Sequence, residues 1–195
     1  MSKDETRQRI MTMARTKFFS LGYSSLTMDE LAADLGLSKK TLYKNFASKN
    51  DLLKEVVEEF MGEQIVQVQQ ILNSTESTME IMKRLVMFIG NLASQISHLR
   101  IQDLQKNAPE IWKEIAEVRE KYIAANFKNI LQDGIREGKF RSDVNPDLIL
   151  MILISCINGI INPITLAQLP ISIREAFEGI ITVVFNGILT EGNRI

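Results

Sequence analysis

Apolar residues recur along this chain at intervals of three and four, and strictly alternating runs are scarce, so the pattern predicts an all-α protein. Ile10, Ala14 and Phe18 form the first stripe, with Gly22 as its C-terminal stop. Thr27 to Glu30, TMDE, has the capping-box pattern and opens a helix with Leu31, Ala32 and Leu35 turned inward. Gly36 closes it. Ser38 and Ser48 read as N-caps of the next two helices. The second of these carries Leu52, Leu53, Val56, Val57, Phe60 and Met61, and is expected to run to Leu72.

A polar break at 73–78 separates this part from the rest. A helix is expected over 79–96, the stretch 98–107 is ambiguous, and a longer helix starts near Pro109 and heads for Gly138. Residues 138–145 read as a loop, Pro146 opens another helix, and Ser172 to Glu175, SIRE, is a second capping box that starts the last one. Residues 148–173 carry no charge at all. Asn158, Gly159, Asn162 and Pro163 interrupt that run and no basic flank precedes it, which argues for a buried or interface helix over a membrane span.

Composition narrows the chemistry. The 195 residues are 45% hydrophobic, enough for a substantial core, and the formal net charge is −1. Affinity for a polyanion must therefore come from a local patch. One cysteine, Cys156, excludes an internal disulfide framework and a multi-thiolate zinc site, and fits a reducing cytoplasm. The first residues, MSKDETRQRIM, lack the apolar core of a signal peptide. His98 is the one histidine, and a Cys156–His98 nucleophile pair is possible on paper, but Cys156 lies in an apolar run where a buried thiol is inert. Without a phosphate-cradling glycine loop or an HExxH pair, no enzyme activity, cofactor or metal is expected.

The segment LSKKTLYKNFASKNDLL, residues 37–53, changes the picture. Lys39, Lys40, Lys44 and Lys49 all precede its first carboxylate, Asp51. Two short helices with Gly36 between them make a helix-turn-helix pattern. At 100° per residue, Leu42 and Phe46 share the buried side of the second helix, while Lys40 and Lys44 point away, flanked by Thr41 and Tyr43. Two cations, a hydroxyl and an aromatic ring without a carboxylate suit phosphates and base edges in a major groove. Thr27, Ser38 and Ser48 add helix starts whose free amides favour anions, and Lys49 opposes its own helix dipole unless a phosphate lies nearby.

Residues 24–53 resemble the amino-terminal DNA-binding domain of the bacterial TetR/AcrR transcriptional regulators. Thr27, Leu31-Ala32, Gly36, Leu37-Ser38, Leu42-Tyr43, Phe46 and Ser48-Lys49 carry the likeness, which covers roughly the first sixty residues. Beyond them only GKFRSD at 138–143 and the helical layout are similar. The resemblance implies that Thr27, Ser38, Tyr43 and Lys49 hold phosphates, and that Lys39, Lys40, Thr41 and Lys44 reach bases. Lys40 stands where the family often has glycine, and Asn45 where it often has an aromatic residue or histidine, so the operator sequence is not implied.

The resemblance further implies an N-terminal three-helix helix-turn-helix domain at 1–47 and a helical effector-binding and dimerisation domain at 48–195. The last helix carries two apolar stripes, which predicts a subunit interface of Ile157, Ile161, Ala176, Phe177, Ile180, Ile181, Val184 and Ile188. Candidate effector contacts are Met82, Val86, Ile89, Trp112, Phe127 and Met151, with Gln95, His98, Asn158 and Asn162 as polar groups. The reading is a cytoplasmic homodimeric repressor that binds double-stranded operator DNA and is released by an unknown small molecule, with no membrane partner. The competing reading is a helical ligand-binding or protein-interaction module that does not bind DNA.

Overall fold

The computed structural model describes residues 3–188 apart from 96 and 161, leaving aside the side chains of Lys3, His98 and Pro163. The described residues form ten helices: α1 (Lys3–Leu21), α2 (Met28–Asp34), α3 (Lys39–Asn45), α4 (Lys49–Leu72), α5 (Thr78–Ser94), α6 (His98–Asn107), α7 (Pro109–Arg136), α8 (Pro146–Ile160), α9 (Pro163–Leu166) and α10 (Ile173–Ile188). The ambiguous stretch is helical as α6, and α9 is a short turn of helix inside the charge-free run. None of the described helices is long and apolar enough to cross a membrane.

Packing divides the chain into two compact units. The first comprises the chain up to Gln67 together with Arg100–Ile115, and the second comprises Val68–Leu99 and everything from Ala116 onward. The division after residue 47 is thus a proposal about where DNA binding ends, while the packing boundary runs through the interiors of α4 and α7. Charge and turn signals mark functional segments; they do not register that a long helix serves two cores.

In the first unit Ile10, Ala14, Leu31, Leu42, Phe46, Leu52 and Val56 are all but inaccessible, so α1, α2, α3 and the start of α4 share one core. Apart from Ala14, each of these side chains contributes about 1.5–3 kcal/mol by burial. The turn between α2 and α3 depends on Gly36, whose φ is +64°. There Leu37 N–H donates to Ala32 O at 2.9 Å and Gly36 N–H to Ala33 O at 3.0 Å, the paired bonds of a Schellman cap. A side chain at Gly36 would meet open space, so the requirement is one of backbone angle, not of room.

The second unit has its own core of Leu85, Leu131, Leu153, Phe177 and Phe185, with α10 packed on α5 and α8. Ser172 caps α10 as expected: its hydroxyl accepts Glu175 N–H at 3.2 Å, and the Glu175 carboxylate accepts Ser172 N–H at 2.7 Å. Gly134, inside α7, lets the Phe140 ring lie on the helix backbone; a Cβ there would fall 2.2 Å from the ring.

Candidate nucleic-acid interface

Three caps position this surface. The Thr27 hydroxyl accepts Glu30 N–H at 3.1 Å, and the Glu30 carboxylate accepts Thr27 N–H at 3.0 Å, closing the expected capping box at α2. Ser38 accepts Thr41 N–H at 3.1 Å to start α3, and Ser48 accepts Asp51 N–H at 3.1 Å to start α4. The hydrogen bonds that Thr27 gives hold Glu30 below the ordinary glutamate range.

α3 is anchored from its far side. Leu42 and Phe46 are buried, and the Arg7 guanidinium of α1 lies 4.2 Å from the centroid of the Phe46 ring. The same arginine donates to the carbonyl of Asn45 at 2.7 Å, at the C-terminal end of α3, and pairs with Glu55 of α4. One side chain therefore ties α1, α3 and α4 together. Opposite this anchor Lys40 and Lys44 are exposed, and neither is in an ion pair among the described residues. Tyr43 is 48% exposed between them, and the hydroxyl of half-buried Thr41 sits 2.8 Å from that of Ser38. Asn45 turns inward, its side chain donating to Thr41 O at 2.8 Å while its own oxygen is buried without a hydrogen-bond partner.

Two of the four lysines are engaged within the chain. Lys39 pairs with Asp29 of α2 at 2.6 Å, an exposed bridge that keeps it beside α2 and lifts its pKa through that hydrogen bond. Lys49 lies 4.0 Å over the Tyr23 ring, and burial there pushes its ammonium below the ordinary lysine value, partly opposed by Asp103 and Glu30. The lysines were read as a run of charge, so these partners, 10 and 26 residues away, carried no local signal.

The second half of the chain supplies a support that sequence reasoning missed. From α6, Arg100 donates to the carbonyl oxygens of Leu21 at 2.7 Å and of Ser20, satisfying the end of α1. Asp103 accepts Ser24 N–H at 2.9 Å and the Asn107 side chain at 2.7 Å. Burial alone would raise the Asp103 pKa, but those bonds together hold it below the usual range. The turn leading into α2 is thus gripped by α6. An arginine and an aspartate three apart on a polar helix were the available signal, and it is a weak one.

The remaining candidates scatter. Met82 and Phe127 are core residues of the second unit, with Val86 and Ile89 packed at its edge. Trp112 belongs to the first unit, Met151 is 65% exposed, and Gln95 is exposed at the end of α5. Asn162 turns the chain between α8 and α9, donating to Gly159 O at 2.6 Å, and Asn158 accepts from Arg119 at 2.8 Å. The His98 side chain and Ile161 lie outside the described residues. The expected interface needs correction: Ile157, Ala176, Phe177, Ile180, Ile181 and Ile188 are buried in the chain's own core, and Val184 is partly so. Most of the apolar surface of α10 is spent on α5 and α8, because a helix between two neighbours needs an apolar arc wider than one stripe, and Val183 and Gly187 are left exposed.

The comparisons agree with this geometry. The family model for bacterial regulatory proteins of the tetR family matches residues 10–56, from α1 into α4. The HTH-type transcriptional regulator YvaF of Bacillus subtilis is 29% identical over 170 residues, 86% of this chain and 87% of that one. The HTH-type transcriptional repressor KstR2 of Mycolicibacterium smegmatis is 29% identical over 148 residues, 73% of this chain and 71% of that one. Among solved structures, a transcriptional regulator from Saccharomonospora viridis in complex with choline superposes with a TM-score of 0.74 at 20% identity, over 96% of this chain and 100% of that one. The ketosteroid regulator KstR2 of Mycobacterium tuberculosis gives 0.62 at 21%, over 95% of each chain. At those identities the two structures speak for the fold alone.

Proposed function

We propose that this chain, whose residues 10–56 match the family model for bacterial regulatory proteins of the tetR family, acts in the cytoplasm as a homodimeric repressor, released from a palindromic operator by a small molecule. The observation that carries this reading is the outward face of α3, where Lys40 and Lys44 stand exposed opposite the Leu42 and Phe46 anchor. Lys40, Thr41 and Lys44 reach base edges in the groove, and Tyr43 and the start of α4 with Lys49 meet phosphates beside it. Thr27 and Ser38 serve as caps that expose free helix-start amides to the backbone. Lys39 reaches bases only by leaving Asp29, which costs little at an exposed pair. Two copies of α3 one helical turn apart enter successive major grooves spaced by about 34–36 Å.

The dimer is assigned to the outer faces of α8 and α10. Leu148, Met151 and Ile152 on α8 and Val183 on α10 are exposed at 51, 65, 45 and 76%. Gly159, Gly179 and Gly187 leave open space beside them, which lets helices of a second copy approach closely. The effector domain is the second unit, and the regulator solved with choline supports a small-molecule role for a fold of this kind.

Selection of genomic fragments with purified protein, followed by affinity measurements across salt concentrations, tests the reading. A palindromic consensus and a steep loss of affinity with added salt are expected. A weak, flat salt response with no enriched sequence would favour an interaction module without DNA.

A further inference from the structure

Arg119 stands in α7 four and eight residues before Ile123 and Phe127, so the three side chains leave nearly the same side of the helix. Phe127 is part of the core of the second unit and Ile123 packs against it. An arginine brought to such a face ordinarily arrives with a carboxylate partner. Among the described residues Arg119 forms no ion pair; its partner is a neutral side chain, the Asn158 oxygen on α8, which accepts from its Nη2 at 2.8 Å. Burial pushes the guanidinium below its ordinary pKa, opposed only by the charge of its exposed neighbour Glu120.

The hydrogen-bond inventory of this pair is one-sided. A guanidinium has five N–H donors and no acceptor, and here one donor is used. Asn158 has given one lone pair of its oxygen to that bond and keeps both amide N–H groups. Donors far outnumber acceptors in what the two side chains still offer, and they accompany a single positive charge beside an apolar surface. The complement is a planar, singly charged group with acceptors only, and a carboxylate meets the guanidinium fork in two parallel bonds. A phosphate brings more charge than this site balances. Val86, Ile89, Ile123 and Ile154, partly buried at the edge of the same core, give an apolar body somewhere to lie.

We infer that Arg119 and Asn158 hold the carboxylate of an amphiphilic organic acid, and that this acid is the effector. The inference rests on the reading of the second unit as an effector domain, and it names the ligand class. Apolar contact with the rim of the core supplies affinity, and the Arg119 fork selects the charged head.

The test uses the full-length protein and a panel of straight-chain, aryl and alicyclic carboxylic acids, each beside the primary alcohol of the same skeleton. Binding is read by equilibrium dialysis and by the shift in Tm. At least one acid should bind about tenfold or more tighter than its alcohol, the scale of one charge-assisted bidentate contact. Arg119→Met should abolish that preference while leaving the alcohol's affinity within about twofold, and Arg119→Gln serves if the methionine variant does not fold. No binding by any acid, equal binding of acid and alcohol, or undiminished preference in the folded Arg119 variant would each overturn the assignment. The readout needs no DNA, so failure of operator binding is seen separately. An operator-binding protein that ignores every acid remains a regulator, with a different class of effector.

Discussion

At the scale of single residues, the interface depends on which charges are free. Lys40 and Lys44 face solvent without ion-pair partners among the described residues, whereas Lys39 is held by Asp29 and Lys49 by the Tyr23 ring. Replacing a lysine that contacts a phosphate should flatten the slope of log affinity against log salt by about 1. Lys44→Ala should in addition change preference between operator variants, while Lys39→Ala should alter both quantities less. Equal profiles for the two variants across an operator library would remove the distinction drawn between them. A second residue-scale expectation concerns Glu30, whose carboxylate the Thr27 hydroxyl and amide hold below its ordinary range. A depressed folded pKa means that the capping contribution is complete above the usual glutamate value and is lost as pH falls through the folded one. The difference in Tm between wild type and Glu30→Ala should therefore close as pH drops below about 4.

Elements bring these residues into register. α7 carries Gly134 in its interior, where glycine ordinarily costs about 1 kcal/mol relative to alanine. Gly134→Ala should nonetheless destabilise the protein by about 1–3 kcal/mol, because the new methyl meets the buried Phe140 ring and overpacking outweighs the gain in propensity. Chemical denaturation of the two proteins decides the sign. α6 serves the first unit from far along the chain: Arg100 and Asp103 fasten the end of α1 and the turn before α2. Asp103→Ala should speed hydrogen exchange at the Ser24 amide, and it removes a negative charge that acts on Lys49. Non-specific DNA affinity of this variant should rise at low salt and return to the wild-type value at high salt. An unchanged affinity at low salt would mean that Asp103 has no electrostatic influence on bound DNA.

The whole molecule separates residues that hold the fold from those assigned to a partner copy. Phe177 is 3% exposed and Val183 is 76% exposed, although both lie on α10. Phe177→Ala should cost about 3–5 kcal/mol of stability as a core cavity. Val183→Glu should leave the monomer folded and shift sedimentation toward monomer, with loss of binding to a two-half-site operator. A Val183→Glu protein that remains dimeric would move the subunit interface elsewhere.

Local chemistry left the clearest marks in the sequence. The capping boxes at Thr27 and Ser172, the stop at Gly36 and the Leu42–Phe46 anchor are patterns within a few residues, governed by backbone hydrogen bonding and helical spacing. They were enough to read the helices, the helix-turn-helix and the outward aim of Lys40 and Lys44. Periodicity also marked the faces of α8 and α10 as apolar, but it does not say how many neighbours a helix has. Tertiary structure decided that most of both stripes of α10 is internal while Val183 is not, that Lys39 and Lys49 have partners, and that α6 returns to support the first unit. It also placed Arg119 against Asn158, 39 residues away, without a counter-charge. Each of these is a pairing between distant segments, and a pairing exists only once the chain has closed on itself.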